Sequence, residues 1–336
     1  MAWKRTILDG ARRVGAFGLV GRVFGADRLT VLAYHRVTDH TRPGFAGFVG
    51  SVSASPAEFS DQMEWVARKH TPVSLEDVAA AALGADLPDR AVLVTFDDGY
   101  QDNLDNALPV LRRLGLPAVL FLATDHVGSG QPFWWDRAAE FFRWHAGAEI
   151  DLPILGHTTW DSDGAQSIAA RWIARAKLLP DDERRAAVAA VTAAVGSDED
   201  PQGLVMNWDG AREMAAHGVA IGGHTRTHPI LTRVPLETAR EEISRSKADV
   251  EREIGAPVIG FAYPNGGTAD FDDAVVAAVA DAGYRMAFTL VPGPARLREV
   301  VADPLRIRRV YVHHGDGLSR FAAKMAGVPR LTGALA

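Results

Sequence analysis

Apolar residues along this chain come in short unbroken runs. Residues 29–35, 91–96, 117–123, 219–224, 258–263, 284–290 and 309–312 read as strands. A run such as Ala91-Val92-Leu93-Val94-Thr95-Phe96 does not alternate with polar residues. That is the pattern of a strand covered on both faces, as in a parallel sheet or barrel. Between the runs, residues 56–69, 103–114, 208–217, 235–254 and 271–282 have helical spacing. Gly115, Gly218, Gly255 and Gly283 stand at their C-cap positions, where a left-handed residue ends a helix. Strands alternating with helices predict an α/β fold with the strands closed into a (β/α) barrel.

One segment breaks the alternation. From about 128 to 203 no strong strand is evident. An aromatic cluster (Phe133, Trp134, Trp135, Phe141, Phe142, Trp144) precedes a stretch rich in Ala, Arg and Glu over about 168–195. This reads as a helical insertion on a barrel spanning 29–320, with a C-terminal tail over 321–336. Residues 1–28 read as an amphipathic helix carrying Lys4, Arg5, Arg12, Arg13 and Arg22. Their apolar stretch, 14–20, is short for a secretory signal and far short of a membrane span. Such a helix packs on the domain or lies on an anionic membrane surface. The expected location is therefore cytoplasmic, peripheral at the inner face of the membrane if the helix engages lipid.

Composition narrows the chemistry. The 336 residues are 47% apolar, enough to bury a full core, and the net charge of −6 with no dominant basic face argues against a nucleic-acid partner. There is no cysteine, which excludes disulfides, thiolate catalysis and cysteine-bound zinc. Any metal must be held by imidazole and carboxylate. Oligomeric state has no signature in the sequence.

Polar residues collect at the C-terminal ends of the expected strands: Tyr34-His35, Asp97-Asp98, Asp125, His224 and Tyr263-Pro264. In a parallel barrel those ends converge on one mouth. In Thr95-Phe96-Asp97-Asp98-Gly99, two adjacent carboxylates repel unless a cation compensates; one can bind a metal while its neighbour takes a proton from water. Alone, the motif also describes a turn and a helix N-cap. In Gly222-Gly223-His224-Thr225-Arg226-Thr227-His228-Pro229, two histidines four apart can converge on one ion. Asp98, His224 and His228 then make three ligands, leaving positions open for water and substrate. Imidazole and carboxylate suit zinc first, with nickel, cobalt or ferrous iron as alternatives.

These two motifs, in this order, resemble those of the polysaccharide deacetylase family, and the resemblance runs from about residue 29 to 312 apart from the insertion. It implies a distorted (β/α) barrel and metal-dependent removal of N-acetyl groups from the amino sugars of a poly- or oligosaccharide. It also implies that Asp97 is the base, Asp98 a metal ligand, and a water activated at the metal the nucleophile. Many members carry an Arg in a third motif, where it orients the catalytic Asp; here Phe261-Ala262-Tyr263-Pro264-Asn265 offers Tyr263 and no Arg. The Asn265 backbone N–H is then the candidate oxyanion donor. Tyr34-His35 resembles a segment of the poly-N-acetylglucosamine deacetylases, which makes His35 the candidate general acid, with His313 and His314 as competitors. Tyr263, Trp135, Trp208 and Arg309 are candidate substrate contacts, Arg309 also a stand-in for the missing Arg, with a surface ion pair as its other reading. An O-acetyl esterase, an amide or imide hydrolase, and a non-catalytic glycan-binding domain are the rival readings.

Overall fold

Strands that are apolar on both faces need cover on both faces, and the chain supplies it by closing them into a ring. The structure is a computed structural model, described here for residues 27–193 and 201–327. Its strands are β1 (Arg28–Tyr34), β2 (Arg36–Val37), β3 (Val52–Ala54), β4 (Thr71–Pro72), β5 (Ala91–Phe96), β6 (Ala118–Leu122), β7 (Glu149–Leu152), β8 (Gly156–Thr159), β9 (Val219–Gly223), β10 (Gly260–Ala262), β11 (Met286–Pro292), β12 (Ala295–Arg296) and β13 (Ile307–Tyr311). Seven are joined in the order β1-β13-β11-β10-β9-β6-β5, and β5 returns to β1 in parallel register from Leu29↔Ala91 to Tyr34↔Phe96. Every pairing around this ring is parallel. Each of the seven runs expected as a strand is one of these seven, with ends shifted by a few residues.

Alternation of side chains splits the runs into two cores. Leu29, Val31, Leu93, Val119, Phe121, Ala262, Met286, Phe288 and Ile307 form an inner cluster, closed by Leu75 and Val78 of helix Leu75–Ala82. Their neighbours Leu32, Tyr34, Val92, Val94, Phe96 and Leu120 face outward, against helices such as Pro56–Lys69 and Leu236–Ile254. A residue's parity along its strand therefore decides whether it points into the barrel or under a helix.

The segment between β6 and β9 has a core of its own. Helices Trp134–Trp144, Ala165–Ala176 and Asp181–Thr192 enclose Phe133, Trp135, Phe142, Trp160 and Trp172. It is not purely helical: β7 and β8 form an antiparallel hairpin. Both strands are short and largely exposed, so they carry no apolar run for sequence reading to detect. Helix Leu318–Met325 crosses the expected tail boundary at 320 and buries Phe321 and Met325. The amphipathic helix expected over 1–28 lies outside the described residues except at its last two positions. Among the described residues, no helix is long and apolar enough to cross a membrane.

Candidate active site

The inward parity runs on past the strand ends. Leu29, Val31 and Ala33 lead to His35; Ala91, Leu93 and Thr95 lead to Asp97; Ala220 and Gly222 lead to His224; Ile307 leads to Arg309. Four polar residues from four strands thus enter the same end of the barrel. Close approach between strands is needed there. A Cβ on Gly222 would stand 2.8 Å from the Gly260 carbonyl oxygen and 2.5 Å from the Phe121 ring.

Asp98 is off this parity and reaches the site through backbone strain. Its φ is +75°, and Gly99 follows at +85°. Among the described residues, four of the seven non-glycine positions with positive φ belong to this region: Asp98, Thr225, His228 and Asn265. Left-handed backbone is costly for residues with a Cβ and persists where packing over-determines it. The loop carrying His228 shows how. Glu242, on helix Leu236–Ile254, accepts hydrogen bonds from the Arg226 and Thr227 N–H groups at 2.8 and 2.9 Å, and Thr225 Oγ accepts from the His228 N–H at 3.1 Å.

Asp98 Oδ1 is 3.5 Å from Nε2 of both His224 and His228. That is too long for a good hydrogen bond, and this buried oxygen has no hydrogen-bond partner. His224 Nδ1 lies 2.7 Å from the Ala262 carbonyl oxygen. Such a contact places the proton on Nδ1 and turns the Nε2 lone pair inward, the usual support for a metal-binding imidazole. Tetrahedral zinc with ligands at about 2.0–2.2 Å spaces its donors about 3.3–3.6 Å apart, so the three residues fit a divalent cation. Among the described residues this trio is the one group so arranged. Burial pushes the Asp98 carboxyl up, but the surrounding histidines bring it well below the usual range. Burial, the largest cause, holds His228 well below the ordinary imidazole value, as a neutral ligand requires.

Asp97 is held by Arg309 through two parallel bonds of 2.7 Å, Nη1 to Oδ1 and Nη2 to Oδ2. Both side chains are essentially sealed from solvent. Arg309 is fixed in turn by the Thr289 carbonyl at 2.9 Å and Thr95 Oγ at 3.1 Å. Burial raises the Asp97 carboxyl, but Arg309 and His224 outweigh it, so the group is ionised. Arg309 is therefore neither a surface ion pair nor placed for saccharide; it is buried against Asp97, where the stand-in reading for the third motif's missing Arg would put it. Parity was the signal that identifies it: Ile307 and Arg309 face in, while Val310 faces out.

His35 is half-buried, edge-on to Tyr311 at 5.4 Å, and its buried Nδ1 has no partner. Burial lowers its pKa, opposed by Asp98 and Asp97. Asn265 sits in a turn closed by Gly266 N–H to Pro264 O at 2.7 Å and Leu290 N–H to Gly266 O at 2.7 Å. The remaining candidates divide. Trp135 stacks on Phe133 and meets the His228 ring at 4.8 Å. Tyr263 points away: its hydroxyl donates to the Leu305 carbonyl at 2.9 Å and its ring stacks on Phe271. Trp208 is partly buried against the outer core. The competitors His313 and His314 pack on each other at 4.0 Å, and His314 packs on His40 at 4.5 Å. Sequence reading missed Glu242, which has no local motif, and a chain in which Trp135 Nε1 donates to Tyr100 Oη at 2.8 Å and Tyr100 donates to Asp136 at 2.9 Å.

The fold and this geometry define an α/β-barrel hydrolase with a candidate Asp-His-His metal centre beside a clamped carboxylate. The chain belongs to the polysaccharide deacetylase family, whose model matches residues 84–287. It is 21% identical to the Bacillus subtilis (strain 168) protein YxkH over 298 residues, covering 88% of this chain and 75% of the relative. A segment of 82 residues is 34% identical to the poly-beta-1,6-N-acetyl-D-glucosamine N-deacetylase of Staphylococcus epidermidis, covering 24% of this chain and 28% of that one. The Streptococcus pyogenes deacetylase PplD, solved in complex with acetate, has the same fold, with a TM-score of 0.58 at 17% identity over 89% of this chain and 98% of its own.

Proposed function

We propose that this deacetylase is a metal-dependent hydrolase that removes N-acetyl groups from amino sugars of a poly- or oligosaccharide. The observation that carries the reading is the orphaned Asp98 Oδ1 between His224 and His228, with the ionised Asp97 beside it. Asp98, His224 and His228 would hold the cation, with zinc the first choice for this donor set. When bound, it supplies a Lewis acid that polarises the acetamide carbonyl and makes water acidic near neutral pH. Asp97, kept ionised and aimed by Arg309, accepts the proton of the attacking water. The Asn265 N–H stabilises charge on the former carbonyl oxygen. His35 delivers a proton to the departing amine nitrogen. Trp135, buried in the insertion core with Phe133 stacked on its ring, backs His228 rather than contacting the sugar. The name of the Staphylococcus epidermidis relative favours N-acetylglucosamine polymers as the first substrates to try.

The test is acetate release by zinc-, nickel-, cobalt- or ferrous-loaded protein over a panel of N-acetylated and O-acetylated oligosaccharides. Release from the N-acetylated members is expected. Release confined to the O-acetylated members makes the protein an esterase, and metal-independent release removes the assigned centre.

A further inference from the structure

Lys177 has no task in that mechanism, yet its side chain reaches the site. It caps the insertion helix Ala165–Ala176, and its ammonium lies 5.9 Å from the centre of the Trp135 ring, the ring that meets His228 at 4.8 Å. Lys177 is half-buried, its backbone N–H bonds the Ile173 carbonyl at 3.0 Å, and its ammonium makes no hydrogen bond or ion pair with a described residue. The charges that bear on it are Asp98, Asp270 and Arg184. Asp98 belongs to the metal trio, and Asp270 accepts from the Gly267 N–H at 2.9 Å. Burial holds the Lys177 ammonium below its usual range, as expected of a cation lacking a close counter-charge. More unmatched donors stand beside it. Arg233 donates to the Leu178 carbonyl at 2.6 Å while its buried Nε has no partner. Arg184, ion-paired with Asp181, also has a buried Nη1 without one. Arg184 bears on Lys177, and Lys177 and Arg233 both bear on Asp270, so the three cations share one region in which two buried donors are unmatched; burying such groups unmatched is costly.

We infer that Lys177, supported by Arg233 and Arg184, forms an anion subsite that takes a carboxylate or phosphate carried by the saccharide near its acetamido sugar. The inference rests on the deacetylase reading and deepens it: the natural substrate is an acidic glycan or a sugar bearing a phosphate.

The experiment measures binding by calorimetry to the metal-free full chain, with three probes of equal length. One is a neutral N-acetylglucosamine oligomer, one carries a neighbouring uronate, and one carries a sugar phosphate. At least tenfold tighter binding of one acidic probe is expected in the wild type, and which probe it is distinguishes carboxylate from phosphate. Lys177→Gln should bring the ratio close to one and Lys177→Arg should keep it. Equal binding of all three probes by the wild type overturns the inference, as does an acidic preference that survives Lys177→Gln. Acetate release by zinc-loaded protein is read in parallel. Lysine-dependent acidic binding without release from any probe supports the subsite and overturns the deacetylase reading. Release with no acidic preference does the reverse.

Discussion

Arg309 and Asp97, 212 residues apart in sequence, meet through two bonds of 2.7 Å inside the barrel. A guanidinium fork matches a carboxylate in a way a lysine ammonium cannot. Arg309→Lys should keep the charge but release the orientation of Asp97, lowering kcat/KM for acetate release by roughly 10- to 100-fold, the usual cost of a displacement near 1 Å. Arg309→Met should leave a buried carboxylate unpaired and destabilise the fold by about 3–5 kcal/mol. Urea unfolding of both variants checks the second effect separately from the first. A fully active Arg309→Lys enzyme removes the orienting role.

The carboxylate pair should separate by function. Asp97→Asn is expected to keep metal binding near the wild-type affinity and to lose turnover, whereas His224→Ala should weaken metal binding by at least roughly 100-fold, since a ligand costs more than its supporting partner. Metal titration followed calorimetrically distinguishes them. Loss of metal from both variants to the same degree places Asp97 among the ligands.

His35 is tested through the leaving group. An amine needs a proton to depart and an aryl oxide does not. His35→Gln should slow release from an N-acetyl sugar by roughly 100-fold or more, the usual scale of general-acid catalysis, and slow hydrolysis of an aryl acetate far less. Equal losses on both substrates point to a structural role for His35.

Asp136 ties the insertion to the barrel, accepting from the Tyr100 hydroxyl at 2.9 Å and the Phe48 N–H at 2.8 Å. Burial pushes its carboxyl up to about 6, against the pull of Arg36. The folded state therefore binds this proton more tightly than the unfolded chain. Its stabilising contribution is complete below the unfolded value of about 3.9 and is lost as pH rises through about 6. Relative to Asp136→Asn, the wild type should lose roughly 1–3 kcal/mol between pH 4 and pH 7. Unfolding of both proteins across that range measures the difference, and a pH-independent difference contradicts the assignment.

Gly222 precedes the first imidazole ligand where two strands nearly touch. Gly222→Ala forces a methyl against the Gly260 carbonyl at 2.8 Å. Backbone cannot yield as a side-chain tip does, so a loss of about 1–3 kcal/mol is expected, together with weaker metal binding through the displaced His224. Thermal unfolding and metal titration on the same variant report the two effects.

Much of this was written locally in the chain. Runs apolar on both faces dictate strands covered on both faces, a property that does not depend on distant residues, and the adjacent carboxylates and paired histidines stood out as candidate ligands. Parity within each run even marks Arg309 and His35 as inward-facing. The partner of Asp97 was legible only as one reading among several: Arg309 was a candidate stand-in for the missing Arg, a substrate contact or a surface ion pair, and the bidentate clamp on Asp97 selects the first. The roles of Glu242 and Asp136 were hidden, since each acts on a backbone or hydroxyl brought near only by folding. Tyr263 shows the converse: local sequence placed it beside the site, and packing on Phe271 turned it away. The sequence by itself determined the strand and helix runs and offered Asp98, His224 and His228 as candidates, because period and motif spacing are short-range properties. Only the tertiary structure decided what holds Asp97, brought the trio together and set Lys177 over the Trp135 ring, because ring closure and the packing of the insertion fix those distances.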